Sequence, residues 1–294
     1  MSVVWDTHRG LDLNNVDETT REEIAAFRSH LLEGREGKFV HPLPGYSVML
    51  ENRPDMLKRQ LRYLDTAFVI PGEGNYRILA GAAMLHWYII NRFEEGIYHE
   101  VRALQTQGAK KEQINELIAI AFMHSGPAGL RFIYDAAFDY LNTYVEPAAR
   151  ARFPPGWAPD PQALESGIDF SHKEMSTEDK RALFDWYEAT IGEVPRSVLF
   201  LARHDPLVLK GWRCKLEGTM RGALPKQMLP YILINYNTHR GLADGLREAV
   251  LLGRAWGMTS AQMSHAVTFA VGFGAGLDAV YVVDRAIGGL LDGD

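Results

Sequence analysis

A chain of 294 residues that is 47% hydrophobic can fill one substantial core, or two modest ones that share an interface. Its formal net charge of -6 excludes a general nucleic-acid surface, which needs clustered Lys and Arg to displace counterions. The single cysteine, Cys214, excludes an intramolecular disulfide, a CxxC redox pair and a cysteine-rich zinc site.

Residues 1–42 are polar and charged, with a helical stretch around Glu22–Leu32, and read as an N-terminal extension. The stretch Met1–Asp6 has no basic segment followed by an apolar core, so no secretory signal is expected there. Residues 43–146 read as a first helical unit. Tyr76–Ile89 is an apolar helix and Glu94–Gln107 an amphipathic one. A third, Lys111–Phe122, sets Ile114, Leu117, Ile118 and Ala121 at helical spacing, and a fourth runs from Gly129 to Asn142. Residues 147–176, with Pro154, Pro155, Pro159 and Pro161, carry too many prolines for a helix and form a linker. Residues 177–294 make a second unit with helices at Glu178–Ile191, Ser197–Gly218, Lys226–Thr238, Leu242–Trp256, Ser260–Phe269 and Gly276–Leu290. Thr259 and Gln262 have the spacing of a capping box before the fifth of these. The apolar stretches around 78–90 and 265–283 are interrupted by His86, Gly272, Gly274 and Asp278, so both read as buried helices of a cytoplasmic protein with no membrane partner.

The two units share more than their helix order. Leu43-Pro44-Gly45-Tyr46-Ser47-Val48-Met49-Leu50 and Arg53-Pro54-Asp55-Met56-Leu57-Lys58 return as Val194-Pro195-Arg196-Ser197-Val198-Leu199-Phe200-Leu201 and Asp205-Pro206-Leu207-Val208-Leu209-Lys210. Gly108 with Gln113 is echoed by Gly257 with Gln262, and Ala128-Gly129-Leu130 with Tyr134 by Ala275-Gly276-Leu277 with Tyr281. A separation near 150 residues throughout reads as a duplicated unit, not a short-period solenoid.

Register on the two glycines pairs Glu95 with Asp244 and His99 with Glu248, each pair at i,i+4 on one helix face. Ile97, Val101 and Leu104 make the core stripe of the first of these helices, with Arg92, Glu95 and His99 on the other side. That side is either solvent or a site. Gly96 and Ala103 on it are small enough for another helix to approach. His86 stands in the apolar run Leu85–Ile90, as a hydrogen-bonded core residue or a member of the same site. His124, before Ser125-Gly126-Pro127, reads equally as a helix cap or a pocket residue. In the second unit Asn235 takes the register of His86, and His239 and Arg240 are candidate carboxylate contacts or caps. Tyr134 and Tyr281 read as core tyrosines.

An apolar helix, a polar junction, a helix with His99 nine residues before Gly108, then a helix opening Gly108-Ala109-Lys110-Lys111-Glu112-Gln113-Ile114, resembles the carboxymuconolactone decarboxylase and AhpD-like family. The resemblance covers Leu43–Leu141 and again Val194–Leu290. It implies an all-α fold of two tandem AhpD-like helical units packed together. Where AhpD-type members carry Cys-x-x-Cys-x-x-x-His, this chain has Arg92, Glu95 and His99, then Gly241, Asp244 and Glu248. The family's glutamate on the preceding helix would fall near Ala80. Without a thiolate, dithiol peroxide chemistry has no nucleophile.

What the resemblance implies instead is the family's non-redox branch, a cofactor-free lyase moving protons on a small organic acid or lactone. In that reading His99, Glu95 and His86 are catalytic, with Glu95 orienting His99. Arg92, His124, Asn235, His239 and Arg240 hold the substrate. Two alternatives stay open: a divalent metal bound by His86, Glu95, His99 and His124, and a non-catalytic binding or scaffold protein of the same fold. The resemblance also implies assembly, with a homotrimer expected first and a dimer next, through apolar surface that includes Phe132, Phe138, Leu277, Val280 and Tyr281.

Overall fold

The computed structural model describes residues 10–32 and 44–292. Leu43, where the first unit is expected to open, and residues 1–9 and 33–42 of the expected extension lie outside them. The described residues form an all-α protein of thirteen helices with one two-stranded ribbon. In chain order these are α1 (Arg21–Leu32), α2 (Pro44–Asn52), α3 (Pro54–Ala67), the hairpin β1 (Val69–Ile70) and β2 (Gly74–Asn75), α4 (Arg77–Ile90), α5 (Glu94–Thr106) and α6 (Lys111–Asn142). After an unhelical stretch come α7 (Thr177–Ile191), α8 (Arg196–His204), α9 (Pro206–Glu217), α10 (Met228–Arg240), α11 (Ala243–Ala255), α12 (Ser260–Ala270) and α13 (Asp278–Leu291).

Local chemistry explains the boundaries. Pro54 and Pro206 start α3 and α9 at the position where a missing N–H costs nothing. Asp205 accepts from the Val208 N–H at 3.1 Å, so Asp205-Pro206 divides what the apolar pattern predicts as one helix, Ser197–Gly218, into α8 and α9. The box before α12 forms as its spacing predicts: Gln262 N donates to Thr259 Oγ1 at 3.2 Å and Thr259 N to Gln262 Oε1 at 3.2 Å. Lys111–Asn142 is the one described helix long and apolar enough to cross a membrane. Gly126 (φ 59, ψ -160), followed by Pro127, breaks it into two arms, each shorter than the roughly 20 residues a crossing needs.

Counting those arms separately, the order of helices from α1 through α6 recurs from α7 through α13. The recurrence includes a buried lock. Glu23, in the first turn of α1, takes the ammonium of Lys58 from α3 at 2.7 Å. Asp179, in the first turn of α7, takes that of Lys210 from α9 at 2.7 Å. Both lysines are buried, and both also donate to backbone carbonyls: Lys58 to Asn15 and Glu18, Lys210 to Glu174. The helix in the expected extension is therefore tied to the first half as firmly as α7 is to the second.

The halves also clasp each other. Glu73, in the hairpin, accepts from Thr259 Oγ1 and Gln262 Nε2 at 2.6 and 2.7 Å. Glu116 of α6 accepts from the backbone N–H groups of Arg221, Ala223 and Leu224 in the matching loop of the second half. One continuous core runs through both, from Leu57 and Leu61 through Leu79 and Leu85 to Ile232, Val250 and Ile287. A smaller cluster around Leu183, Val198 and Leu209 joins α7, α8 and α9. Tyr134 and Tyr281 are not core tyrosines: they are 54% and 70% exposed, on the second arm of α6 and on α13.

Candidate functional site

Two cavities occupy corresponding places in the two halves. The first lies between α4 and α5 and has a volume of about 60 Å³. Its polar lining is Tyr46, Arg77, Tyr88, His99, Glu100 and Gln107, and Phe273 closes it from the second half. Small residues make the room. A Cβ at Gly81 would stand 2.8 Å from Glu100 Oε1, and one at Gly96 would stand 2.8 Å from the Tyr88 ring. Phe273 arrives on a single π-helical turn, Val271–Ala275, which α12 runs into.

Glu100 dominates this cavity electrostatically. It is 1% exposed, and its Oε2 has no hydrogen-bond partner among the described residues. Burial lifts its carboxyl to about 8, with Arg77 opposing the rise only in part. The group is therefore a neutral acid at pH 7. Tyr46 is pushed up to about 12 and Tyr88 further, by burial first and by Glu100 second, so both phenols stay protonated.

The second cavity lies between α10 and α11, has a volume of about 190 Å³ and is lined mostly by apolar and aromatic side chains. Its polar groups are Tyr187, Arg213, Asn237 and Glu248, with His124 reaching in from the first half. Burial, then Asp244 and Glu193, lift the half-buried Glu248 to about 7.

Between the halves stands a third polar cluster. His86 Nε2 and His124 Nδ1 are 3.0 Å apart, and the Tyr236 ring packs against both. Trp87 stacks on His239 with ring centres 3.9 Å apart, and Arg240 lies over Trp87. Burial, with His124 and His239 nearby, holds the His86 imidazole well below its ordinary pKa. Burial and Lys215 take His124 down to about 4, although the residue as a whole is exposed; burial and Arg240 do the same for His239.

The residues expected from sequence thus separate into three groups. His99 is buried and lines the first cavity, so its side of α5 is not solvent. Glu95 is half-buried outside that cavity's lining, and Arg92 is exposed, the one described non-glycine residue at positive φ (60°). His86, His124, His239 and Arg240 gather between the halves, where Asn235 donates to the Ala266 carbonyl at 3.1 Å and struts α10 against α12. Among the described residues no group of three or more His, Cys, Asp or Glu is placed to hold a metal ion, and the set His86, Glu95, His99 and His124 is divided between two places. Sequence reasoning missed Glu100 and Arg213. The signal was present: Glu100 interrupts the stripe Ile97, Leu104 at i+3, and Arg213 the stripe Leu209, Leu216 at i+4. Comparison with family models, with characterised proteins and with solved structures finds no match to this chain.

Proposed function

We propose that this protein is a cofactor-free, lyase-type enzyme that moves a proton on a small organic acid or lactone, and that the first cavity is where it does so. The observation that carries the reading is Glu100: a buried, proton-bearing carboxyl facing a cavity, with one oxygen unpartnered among the described residues and an imidazole, His99, on the same lining. For a β-keto acid, Arg77 holds the carboxylate, and the C–C bond to it breaks to release carbon dioxide and leave an enolate. Glu100 gives its proton to the enolate carbon, and His99 returns a proton from solvent to the resulting carboxylate. The volume restricts the substrate to a few heavy atoms.

The resemblance to the carboxymuconolactone decarboxylase and AhpD-like family supports the same location. Its glutamate is expected near Ala80 on α4; here a carboxylate lies against the adjacent Gly81 but comes from α5. The recurring helix order and the two lysine locks support an internal duplication as the origin of the two cavities. The exposed Leu130, Tyr134 and Phe138 on α6, with Leu277 just before α13 and Val280 and Tyr281 on it, support assembly of identical chains, trimer before dimer. Light scattering at micromolar concentration checks this, and a stable monomer would remove it.

Turnover is tested by NMR on a panel of small β-keto acids and unsaturated lactones in deuterium oxide, following substrate loss and deuterium at the α-carbon. The wild type is expected to turn over at least one member, and Glu100→Gln and His99→Ala to slow it by roughly 100- to 10,000-fold with helicity unchanged. A panel left untouched by the wild type, or full activity in folded Glu100→Gln, leaves the non-catalytic binding reading in its place.

A further inference from the structure

The second cavity carries an inference independent of the first. Arg213 is fully buried on α9, and its charge is already answered: Nε donates to Glu217 Oε1 at 2.8 Å, and Nη2 donates to the Leu164 carbonyl. The plane of the guanidinium packs on Trp186, 4.0 Å from the ring centre, and the Tyr187 phenol, also on the cavity lining, accepts a hydrogen bond from the guanidinium. One donor atom remains. Nη1 is buried without a hydrogen-bond partner among the described residues, and Arg213 lines a cavity of about 190 Å³. A buried donor left unmet is costly, and a ligand oxygen would relieve that cost.

The rest of the lining narrows the ligand. Met123, Trp212, Leu233 and Leu252 offer an apolar wall large enough for one aromatic ring, since a cavity near 150 Å³ already holds benzene. A carboxylate is a poor fit. Glu217 has neutralised Arg213, and Glu248, near Asp244 and Glu193, adds negative charge to the lining. We infer that the cavity between α10 and α11 is a binding site for an uncharged, single-ring aromatic carbonyl compound, its oxygen on Arg213 Nη1 and its ring against Trp212, Leu233 and Leu252. Glu248 and Asn237 are placed to read a further hydroxyl on such a ring.

The probes are acetophenone, toluene and benzoate, titrated into the full chain by calorimetry and by quenching of tryptophan fluorescence at pH 8. Acetophenone is expected to bind saturably with one site per chain, toluene roughly tenfold more weakly for want of the hydrogen bond, and benzoate more weakly still. Met123→Trp, which fills the cavity, is expected to abolish acetophenone binding. Because that variant can fail to fold, NMR contacts from the acetophenone methyl to the Met123 methyl and Trp212 ring locate the ligand in the wild type. Benzoate binding as tightly as acetophenone overturns the uncharged class. Absence of saturable binding by acetophenone overturns the site. Unchanged binding in folded Met123→Trp, or contacts elsewhere, overturns the location.

Discussion

The two cavities are built from matching helices and carry opposite chemistry. In the first, His99 and Glu100 stand at adjacent positions of α5; at the matching positions of α11 stand Glu248 and the apolar Ala249. Tyr88 faces the first cavity where Asn237 faces the second, and the residue sent across from the other half is Phe273 in one and His124 in the other. The first is small, with a buried acid able to carry a proton. The second is larger, aromatic and supplied with a hydrogen-bond donor by α9. Matching helix backbones set where each cavity lies, and the side chains lining it differ, so a shared fold does not fix a shared chemistry. The comparison therefore separates what the halves share, which is structural, from what they do not, which bears on function.

The largest effect tests what they share. Lys58 and Lys210 are themselves buried and hold matching carboxylates in matching places, so removing either ammonium leaves an acid, half-buried Glu23 or buried Asp179, without its cation. Lys210→Met and Lys58→Met are each expected to cost about 3 kcal/mol, within the range for breaking a buried pair, and to add in the double variant because the sites share no partner. Urea denaturation measures both. A cost below about 1 kcal/mol for Lys58→Met alone would mean that α1 is an appendage after all.

The next test addresses what differs. Glu100 has a folded pKa raised to about 8 from an unfolded value of 4.5. The folded state holds a proton that the unfolded state has released. The stability this group contributes is therefore present in full below pH 4.5 and is lost as pH rises toward 8. Glu100→Gln cannot titrate, so its melting temperature should gain on the wild type progressively between pH 5 and 8 and then stay level. Glu248→Gln should show the same sign over a narrower window, because Glu248 reaches only about 7 and is open to screening by solvent. Equal slopes in the two variants would erase the distinction between a sealed acid and a half-open one. Below pH 6.5 the depressed imidazoles of His86, His124 and His239 act in the other direction, destabilising the fold as they are forced to charge, and both variants inherit that loss unchanged.

How much of this was legible follows from the same physics. Helix existence and order were readable from apolar pattern: α5 and α11 bury one clear stripe each, and α4 and α10 are buried nearly all round. The Asp205-Pro206 break was printed in the sequence but overridden by continuous apolar spacing across it. The cavity residues were harder. An i,i+4 pair such as Glu95 and His99 attracts attention because its two members would face each other on an isolated helix, yet burial divides them: His99 faces the cavity and Glu95 does not. Glu100, Arg213, Lys58 and Lys210 share another pattern, a charge standing inside an apolar stripe, where desolvation demands a partner. Arg213 meets Glu217 one turn on along α9, a spacing the sequence shows; the partners of the other three, Arg77, Glu23 and Asp179, come from other helices or helix starts, and no spacing within one helix encodes them.

The smallest effect is also the sharpest test of correspondence. α10 ends on Gly241 at φ 62, and in the matching place after α4 stands Arg92 at φ 60, a conformation that crowds any Cβ against its own backbone. Arg92→Gly relieves about 1–2 kcal/mol of that crowding and returns about 0.4–1 kcal/mol as added freedom of the unfolded chain, so a net gain under about 1 kcal/mol is expected. Because Arg92 is exposed and outside both cavity linings, turnover and ligand binding should not change. The reverse substitution, Gly241→Arg, should lose stability by a similar amount. Loss of activity in a stabilised Arg92→Gly protein would place Arg92 on the substrate and move the entrance of the first cavity to the α4–α5 junction.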